Sequence, residues 1–362
     1  MIRPAPGLPT ATVVICVYTD NRFGDIVAAV DSVRAQDVVP AQVLVVVDHN
    51  PALLARVREA LPASVRVLPN ARGRGLSGAR NTGVAVASGD VVVFLDDDAA
   101  ARPGWLRALL TPYADPEVVA VGGSAHPYFP VSRPALLPSA GTGPDATGEL
   151  DWVVGCTYTG QPTGRAEVRN LMGCNMSVRR VAFARVGGFA EDLGRIGRNP
   201  LGCEETELCI RIRQAYGRNG RTARIVFEPA AQVDHRGGVD RLHWTYLRRR
   251  SWSEGLSKAA VAQLVGREDA LSTEREYVRT VLPAAVLREL RAGRPDAAAA
   301  VVVALSWTVA GYLRGKLPGA TTRTRLAALD QAVHEPVVTK DPLTTALPVV
   351  APAAGRERSG RV

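Results

Sequence analysis

Residues 90–98 read DVVVFLDDD: Val91 to Leu95 form an unbroken apolar run, and Asp96, Asp97 and Asp98 close it. A run rich in β-branched and aromatic side chains suits a strand buried on both faces. Three such runs precede it: TVVICVY at 12–18, QVLVVVD at 42–48 and the shorter VRVL at 65–68. Between them apolar positions recur at helical spacing, as with Ile26, Val27, Val30 and Val33 within 23–36, and again over 53–61 and 77–87. Pro103 suits the first turn of a further helix through Leu110. Buried strands alternating with helices predict an α/β open sheet of parallel strands. Tyr18-Thr19-Asp20, Asp48-His49-Asn50 and Asp96-Asp97-Asp98 cap three of those strands at their carboxyl ends, where such sheets open their ligand crevice.

Beyond the sheet the pattern loosens. Residues 122–164, rich in Pro and Gly, read as long loops with short strands beside the site. Order returns at 170–178 and 181–189, followed by a helical pattern in EETELCIRIRQAYG, two short strands in ARIVFEP and AQVDH, and a basic helix over 240–266. Residues 297–313 are uncharged and largely alanine; at 17 residues they read as a buried or interfacial helix, since a spanning one wants about 20 clearly apolar residues. Arg291, Arg294, Arg314 and Lys316 beside that segment suit a membrane surface. The last residues, rich in Pro, Ala and Thr, read as a disordered tail, and the N-terminus lacks the shape of a signal peptide.

The chain has 362 residues, 46% of them hydrophobic and 22% charged, enough to bury a core and enough to exclude a collagen-like, low-complexity or disulfide-stapled chain. Its net charge is +9, nearly all of it from Arg, because Lys258, Lys316 and Lys340 are its lysines. An Arg excess reflects coding bias or serves phosphate groups and anionic surfaces. Five cysteines without a C-x-x-C pair read as reduced packing thiols of a cytosolic protein.

Five constellations carry chemistry. GRGLSG at 73–78 satisfies G-x-G-x-x-G between a strand and a helix, which points to a nucleotide cofactor and an NAD(P) oxidoreductase. Against that, it follows the third strand rather than the first, and the acidic position holds three adjacent carboxylates where ribose recognition needs one; Arg72, Arg74 and Arg80 crowd the loop and suit a phosphate or a basic wall equally. Asp96-Asp97-Asp98 repel one another unless a cation sits among them, which suits Mg²⁺ or Mn²⁺. On an extended strand Asp96 and Asp98 point the same way and share one ligand. Glu204-Glu205-Thr206-Glu207 opens a helix, where carboxylates favour the dipole or serve as a general base. His235 becomes a metal ligand if the fold brings it to the acidic triplet. Arg236 to Lys258 interleaves cations with His243, Trp244, Tyr246 and Trp252; this suits a solvated helix, phosphate clamping, sugar stacking, a membrane surface or nucleic acid.

Taken in order, these residues resemble family 2 glycosyltransferases of the GT-A fold, over roughly 12–258. The parts are V-x-x-x-V-Y at 13–18, V-V-D at 46–48, Asn70 with Gly75 and Ser77-Gly78-Ala79-Arg80-Asn81 and Gly83, F-L-D-D-D at 94–98, G-G-F-x-E at 187–191, and C-E-E-T-E-L at 203–208. The resemblance implies a nucleotide-diphospho-sugar transferase with a Rossmann-like sheet and a helical C-terminal region. It implies a donor site with Tyr18 and Asp48 flanking the base, Arg72 and Arg80 near ribose or phosphates, and Asp96 and Asp97 on the donor. Asp98, Asp96 and His235 would hold Mg²⁺ or Mn²⁺, and Glu205, with Glu204 beside it, would be the general base. Trp252 and Arg250 would lie on the acceptor side. The expected reaction is inverting transfer of one sugar, from a UDP-sugar as the first choice of donor, to an acceptor hydroxyl in glycan, glycolipid or natural-product synthesis. Two departures stand out: the family's E-D is Glu204-Glu205 here, and the processive Q-x-x-R-W is replaced by RRRSW at 248–252, which favours a single transfer. The expected organisation is a tail at 1–10, a nucleotide-sugar half at 11–122, an acceptor half at 123–239, a helical region at 240–332 and a disordered tail at 333–362. The expected setting is cytoplasmic, with peripheral contact at the inner membrane face and no nucleic acid; a non-catalytic basic binding module is the other alternative.

Overall fold

The computed structural model describes residues 7–129, 132–143, 145–197, 201–271 and 273–317, so the tail expected at 333–362 and most of that at 1–10 lie outside the described residues. Strands β1 (Ala11–Val17), β2 (Gln42–Val47), β3 (Val65–Pro69) and β4 (Val91–Asp96) pair in parallel in the order β3-β2-β1-β4. Helices α1 (Phe23–Arg34), α2 (Pro51–Ala60) and α3 (Leu76–Val86) connect them. Side-chain alternation divides two cores: Val13, Ile15, Val45, Val93 and Leu95 pack on one face, while Val14, Leu44, Val46, Val92 and Phe94 pack on the other. Continuous apolar runs are needed because both faces are covered.

The remaining strands correct the expectation of an all-parallel sheet. After β5 (Ala99–Ala101), α4 (Trp105–Leu110), β6 (Val118–Tyr128) and β7 (Ala166–Glu167), strand β8 (Asn175–Arg179) inserts antiparallel between β4 and β6. Helices α5 (Arg180–Val186) and α6 (Glu204–Gly217) lead to β9 (Arg224–Arg236), and the sheet order is β3-β2-β1-β4-β8-β6-β9-β5, with β7 on β9. Apolar runs report burial, not direction, so the antiparallel insertion was invisible to them. β6 occupies the first part of the stretch expected to be loops. The boundary expected at 122/123 falls inside it, where its register with β9 shifts between Gly123 and Ser124. The two short strands expected around 224–235 are one strand, broken in register where Pro229, lacking an N–H, sits out of the ladder.

The C-terminal region is helical: α7 (Trp244–Val265), α8 (Arg267–Ala270), α9 (Glu274–Glu276), a π-helical turn at Tyr277–Val281, α10 (Leu282–Arg291) and α11 (Pro295–Lys316). α11 is longer than the 297–313 expected from apolar composition because Pro295 at its first turn and basic residues at its last extend it. It lies tightly on α7. A Cβ on Gly311 would come 2.2 Å from the Trp252 carbonyl oxygen, and one on Gly255 would come 2.1 Å from that of Thr308. Small residues there let two backbones approach. A separate core of Leu247, Leu282, Ala300, Val301 and Ala304 joins these helices to Leu150 and Val154.

Candidate active site

β4 delivers Asp96 at its end, the chain turns at Asp97-Asp98, and β5 then pairs antiparallel with β9, setting Ala99 opposite His235. This register, rather than alternation along one extended strand, brings the triplet to the histidine. His235 Nε2 lies 3.2 Å from Asp98 Oδ1 and 3.9 Å from Asp96 Oδ2, and the three ligand atoms fall within 4.8 Å of one another. The other ring nitrogen, Nδ1, lies 3.6 Å from the Cys156 thiol, so Nε2 faces the carboxylates.

Two arginines hold the triplet: Arg22, which no motif singled out, and Arg241, from the basic stretch 236–258. Arg22 Nη1 donates to Asp97 Oδ1 at 3.0 Å and to Asp98 Oδ2 at 2.8 Å, and Arg241 Nη2 donates to the same Asp98 Oδ2 at 3.0 Å. Oδ2 is thus occupied, and Oδ1 is turned towards His235. Burial alone would raise the Asp98 pKa, but Arg22, His235 and Arg241 hold it well below the usual carboxylate range. Asp97 goes the other way: burial, reinforced by Asp98 and Asp96 and opposed by Arg22, pushes it up to about 7. Its Oδ2 is buried with no hydrogen-bond partner among the described residues. A hard cation with oxygen and imidazole ligands fits this donor set.

Arg80 is braced by protein groups at the edge of the cavity. It is 2% exposed, donating through Nη1 to Glu204 Oε1 at 2.7 Å and through Nη2 to Asp96 Oδ1 at 3.3 Å and to the Gly173 carbonyl at 2.9 Å. It ties the first turn of α6 to the end of β4, and it lies over the rings of Phe94 and Phe189 at 5.8 and 5.4 Å. Both Glu204 and Glu205 line the cavity; Glu204 Oε1 is taken by Arg80 while its Oε2 is buried with no hydrogen-bond partner among the described residues, and Glu205 is half-buried. Burial, then the neighbouring Glu204, push the Glu205 carboxyl up to about 8.

The glycine loop is closed to phosphate. The Gly75 N–H donates to Asp48 Oδ2 at 3.0 Å, that of Gly73 to Glu191 Oε2 at 3.2 Å, and that of Leu76 to the Arg195 carbonyl at 2.8 Å. With these N–H groups taken and two carboxylates alongside, the cofactor cradle of the oxidoreductase alternative is not formed. The glycines serve packing instead: Gly75 has φ +124°, and a Cβ on Gly78 would come 1.9 Å from the Gly73 carbonyl oxygen. Asp48 therefore orders this loop, with Asn70 Nδ2 donating to its Oδ1 at 2.7 Å. Tyr18 is half-buried at the end of β1, its ring 5.7 Å from the Arg22 guanidinium. Arg72 is exposed and lines a different depression, beside Asn81 and Arg180.

A cavity of about 410 Å³ runs from Asp96, His235 and Glu205 into the C-terminal helices. Arg250 lines it, with its guanidinium 5.6 Å from the ring of Trp152. Trp252 is not among the residues lining the cavity; it meets Trp307 edge-to-face at 5.8 Å between α7 and α11, about half a helical turn from the lining residues Arg250 and Glu254. Trp152, in a stretch read as loop, takes the place at the wall, and no spacing in the sequence signalled it.

The profile of Glycosyl transferase family 2 matches residues 12–187. Over 283 residues the chain is 31% identical to the glucosyl-dolichyl phosphate glucuronosyltransferase of Haloferax volcanii, covering 77% of this chain and 85% of that protein. The polypeptide N-acetylgalactosaminyltransferase 11 of Xenopus tropicalis is 30% identical over 64% of this chain and 38% of its own length. Among solved structures, a mannosyltransferase from Pyrobaculum calidifontis in complex with GDP-Man and Mn²⁺ superposes with a TM-score of 0.52 at 20% identity, covering 91% of this chain and 82% of that one.

Proposed function

The chain belongs to glycosyl transferase family 2, a glycosyltransferase with the GT-A fold, and from that premise we propose that it transfers one sugar, with inversion, from a nucleotide-diphospho-sugar to an acceptor hydroxyl. The observation that carries this reading is the meeting of Asp96, Asp98 and His235 within 4.8 Å at the mouth of a cavity that Glu205 also lines. Asp98 Oδ1, an Asp96 oxygen and His235 Nε2 would hold Mg²⁺ or Mn²⁺. When bound, that ion supplies positive charge against the diphosphate leaving group.

The chain's own residues do the rest. Tyr18 and Asp48, at the ends of β1 and β2, flank the base, with UDP the first donor to test; Asp97 stands beside the donor. Glu205 takes the proton of the acceptor hydroxyl. The oxygen then bonds to the anomeric carbon from the face opposite the diphosphate, and the bond to the diphosphate oxygen breaks with its electron pair leaving on the nucleotide. Arg80 keeps Glu204 and Asp96 in register, so that base and donor site hold a fixed relation. Calorimetry with UDP and GDP, with and without Mn²⁺, tests the reading: nucleotide binding that requires Mn²⁺, lost in Asp98→Asn together with at least about 100-fold of transfer, is expected. Metal-independent binding, or full activity of Asp98→Asn, would overturn it.

A further inference from the structure

The candidate metal group uses one nitrogen of His235 and leaves the other to the protein. The residue is 2% exposed, with Nε2 turned to Asp98 and Asp96. Nδ1 meets the Cys156 Sγ at 3.6 Å, and among the described residues neither a carboxylate nor a backbone carbonyl is bonded to it. Cys156 is fully buried.

The sulfur is held against the ring from several sides. A 3₁₀ turn at Asp151–Val154 ends in Gly155, whose φ of +84° carries the chain past the imidazole. A Cβ on Gly155 would come 3.3 Å from His235 Cε1, closer than ordinary van der Waals contact, so glycine lets the backbone cover the ring edge. The Cys156 N–H donates to the Asp151 carbonyl at 3.0 Å, and the Cys174 thiol donates to the Gly155 carbonyl at 3.3 Å. The Thr157 N–H donates to the Ala125 carbonyl of β6 at 2.9 Å, and Thr157 Oγ1 accepts the Ala125 N–H at 2.8 Å. Asp151 in turn is gripped by Arg133 at 2.6 and 3.0 Å.

A neutral imidazole has one N–H and one lone pair, and only the lone pair binds a cation. For Nε2 to bind, the proton must sit on Nδ1, and a buried N–H needs an acceptor. Asp98 pulls the other way: its Oδ1, 3.2 Å from Nε2, favours a proton on the nitrogen that the cation needs. Metal-binding histidines ordinarily answer this with a carboxylate, a carbonyl or water at the second nitrogen. Here a sulfur occupies that place, and thiol sulfur accepts as well as donates.

We infer that Cys156 is a positioning residue for the metal site: its Sγ accepts the Nδ1–H of His235 and so keeps the Nε2 lone pair turned to the cation. The inference rests on the glycosyltransferase reading for the cation itself, and adds the group that sets the tautomer of its histidine. The opposite bond, with the thiol donating to Nδ1, would put the proton on Nε2 and oppose binding. The two directions therefore predict effects of opposite sign when the thiol is removed.

Mn²⁺ binding to the full chain, read from the free-ion electron paramagnetic resonance signal with and without UDP or GDP, tests this without any transfer. Cys156→Val is expected to weaken Mn²⁺ binding at least about tenfold, and Cys156→Ser, which keeps an acceptor, to stay within about threefold of wild type. In a His235→Ala background, Cys156→Val is expected to change the affinity by less than about twofold, since the group through which it acts is gone. Unchanged or tighter binding by Cys156→Val, equal weakening by Cys156→Ser, or the same weakening in the His235→Ala background would each overturn the inference. Wild type gives a second measurement that needs no variant. With ¹⁵N-labelled histidine and Mg²⁺ bound, His235 Nδ1 should carry the proton, and a proton on Nε2 would overturn the inference. Wild type that binds Mn²⁺ no better than Cys156→Val overturns this inference alone, whereas wild type that binds no Mn²⁺ overturns the metal reading and this inference with it.

Discussion

Glu204 and Glu205 both line the cavity, but a single guanidinium tells them apart. Arg80 pairs with Glu204, while the Glu205 carboxyl is pushed up to about 8 by burial and by the Glu204 charge. A base works only when deprotonated, so kcat/KM is expected to rise about tenfold per pH unit below that value and to level off above it. A pH–rate series on wild type checks this, and in Glu205→Gln the transfer itself should be lost. Arg80 itself is buried between Glu204 and Asp96. Arg80→Met leaves one buried carboxylate uncompensated and should cost about 3–5 kcal/mol of stability, read by urea unfolding. The residue types of the metal group were legible one by one, as was the acidic start of α6. Their clamps, Arg22 and Arg241, were not, because the first follows β1 and the second follows β9, and nothing along the chain ties those two points together. Arg80 was legible as a charge in a loop but not as a buried brace, since its partners lie 16 and 124 positions away.

At the level of elements, the alternation in β1, β2 and β4 was open to reading because covering both faces of a strand demands continuous apolar sequence. Helix starts were read less closely: apolar spacing put α2 at 53–61, whereas Pro51 enters it behind Asn50, whose side chain accepts the Leu53 N–H at 3.1 Å. What escaped was the pairing between distant strands. The insertion of β8 and the β5–β9 ladder are long-range events, and the second of these completes the candidate metal group. The surroundings of Trp252 were hidden for a related reason: aromatic residues on a helix advertise an interface without saying which neighbour each one meets. The α7–α11 contact offers a direct test at this scale. Gly311→Leu places a side chain where a Cβ alone would lie 2.2 Å from the Trp252 carbonyl. A loss of about 3 kcal/mol or more is expected, read as a drop in thermal midpoint.

For the molecule as a whole, the +9 charge resolves into cations that serve different ends. Arg80 and Arg241 are buried and Arg22 half-buried, and all three hold carboxylates, whereas Arg275, Arg279, Arg291, Arg294, Arg314 and Lys316 are exposed on the C-terminal helical region that also exposes Leu287, Leu290, Val302 and Leu313. Each exposed cation near an anionic surface contributes about 1 kcal/mol at low salt. In flotation assays the protein should therefore associate with phosphatidylglycerol vesicles more than with phosphatidylcholine vesicles, and 0.5 M NaCl should reduce but not abolish the association. The residual part reports Val302, Trp307 and Leu313; equal binding to both vesicle types would count against the surface. Val278 and Val309 line the cavity and are exposed as well. The cavity wall and the outer surface of these helices are therefore one piece of protein, and whatever that surface meets is felt at the wall without a relay.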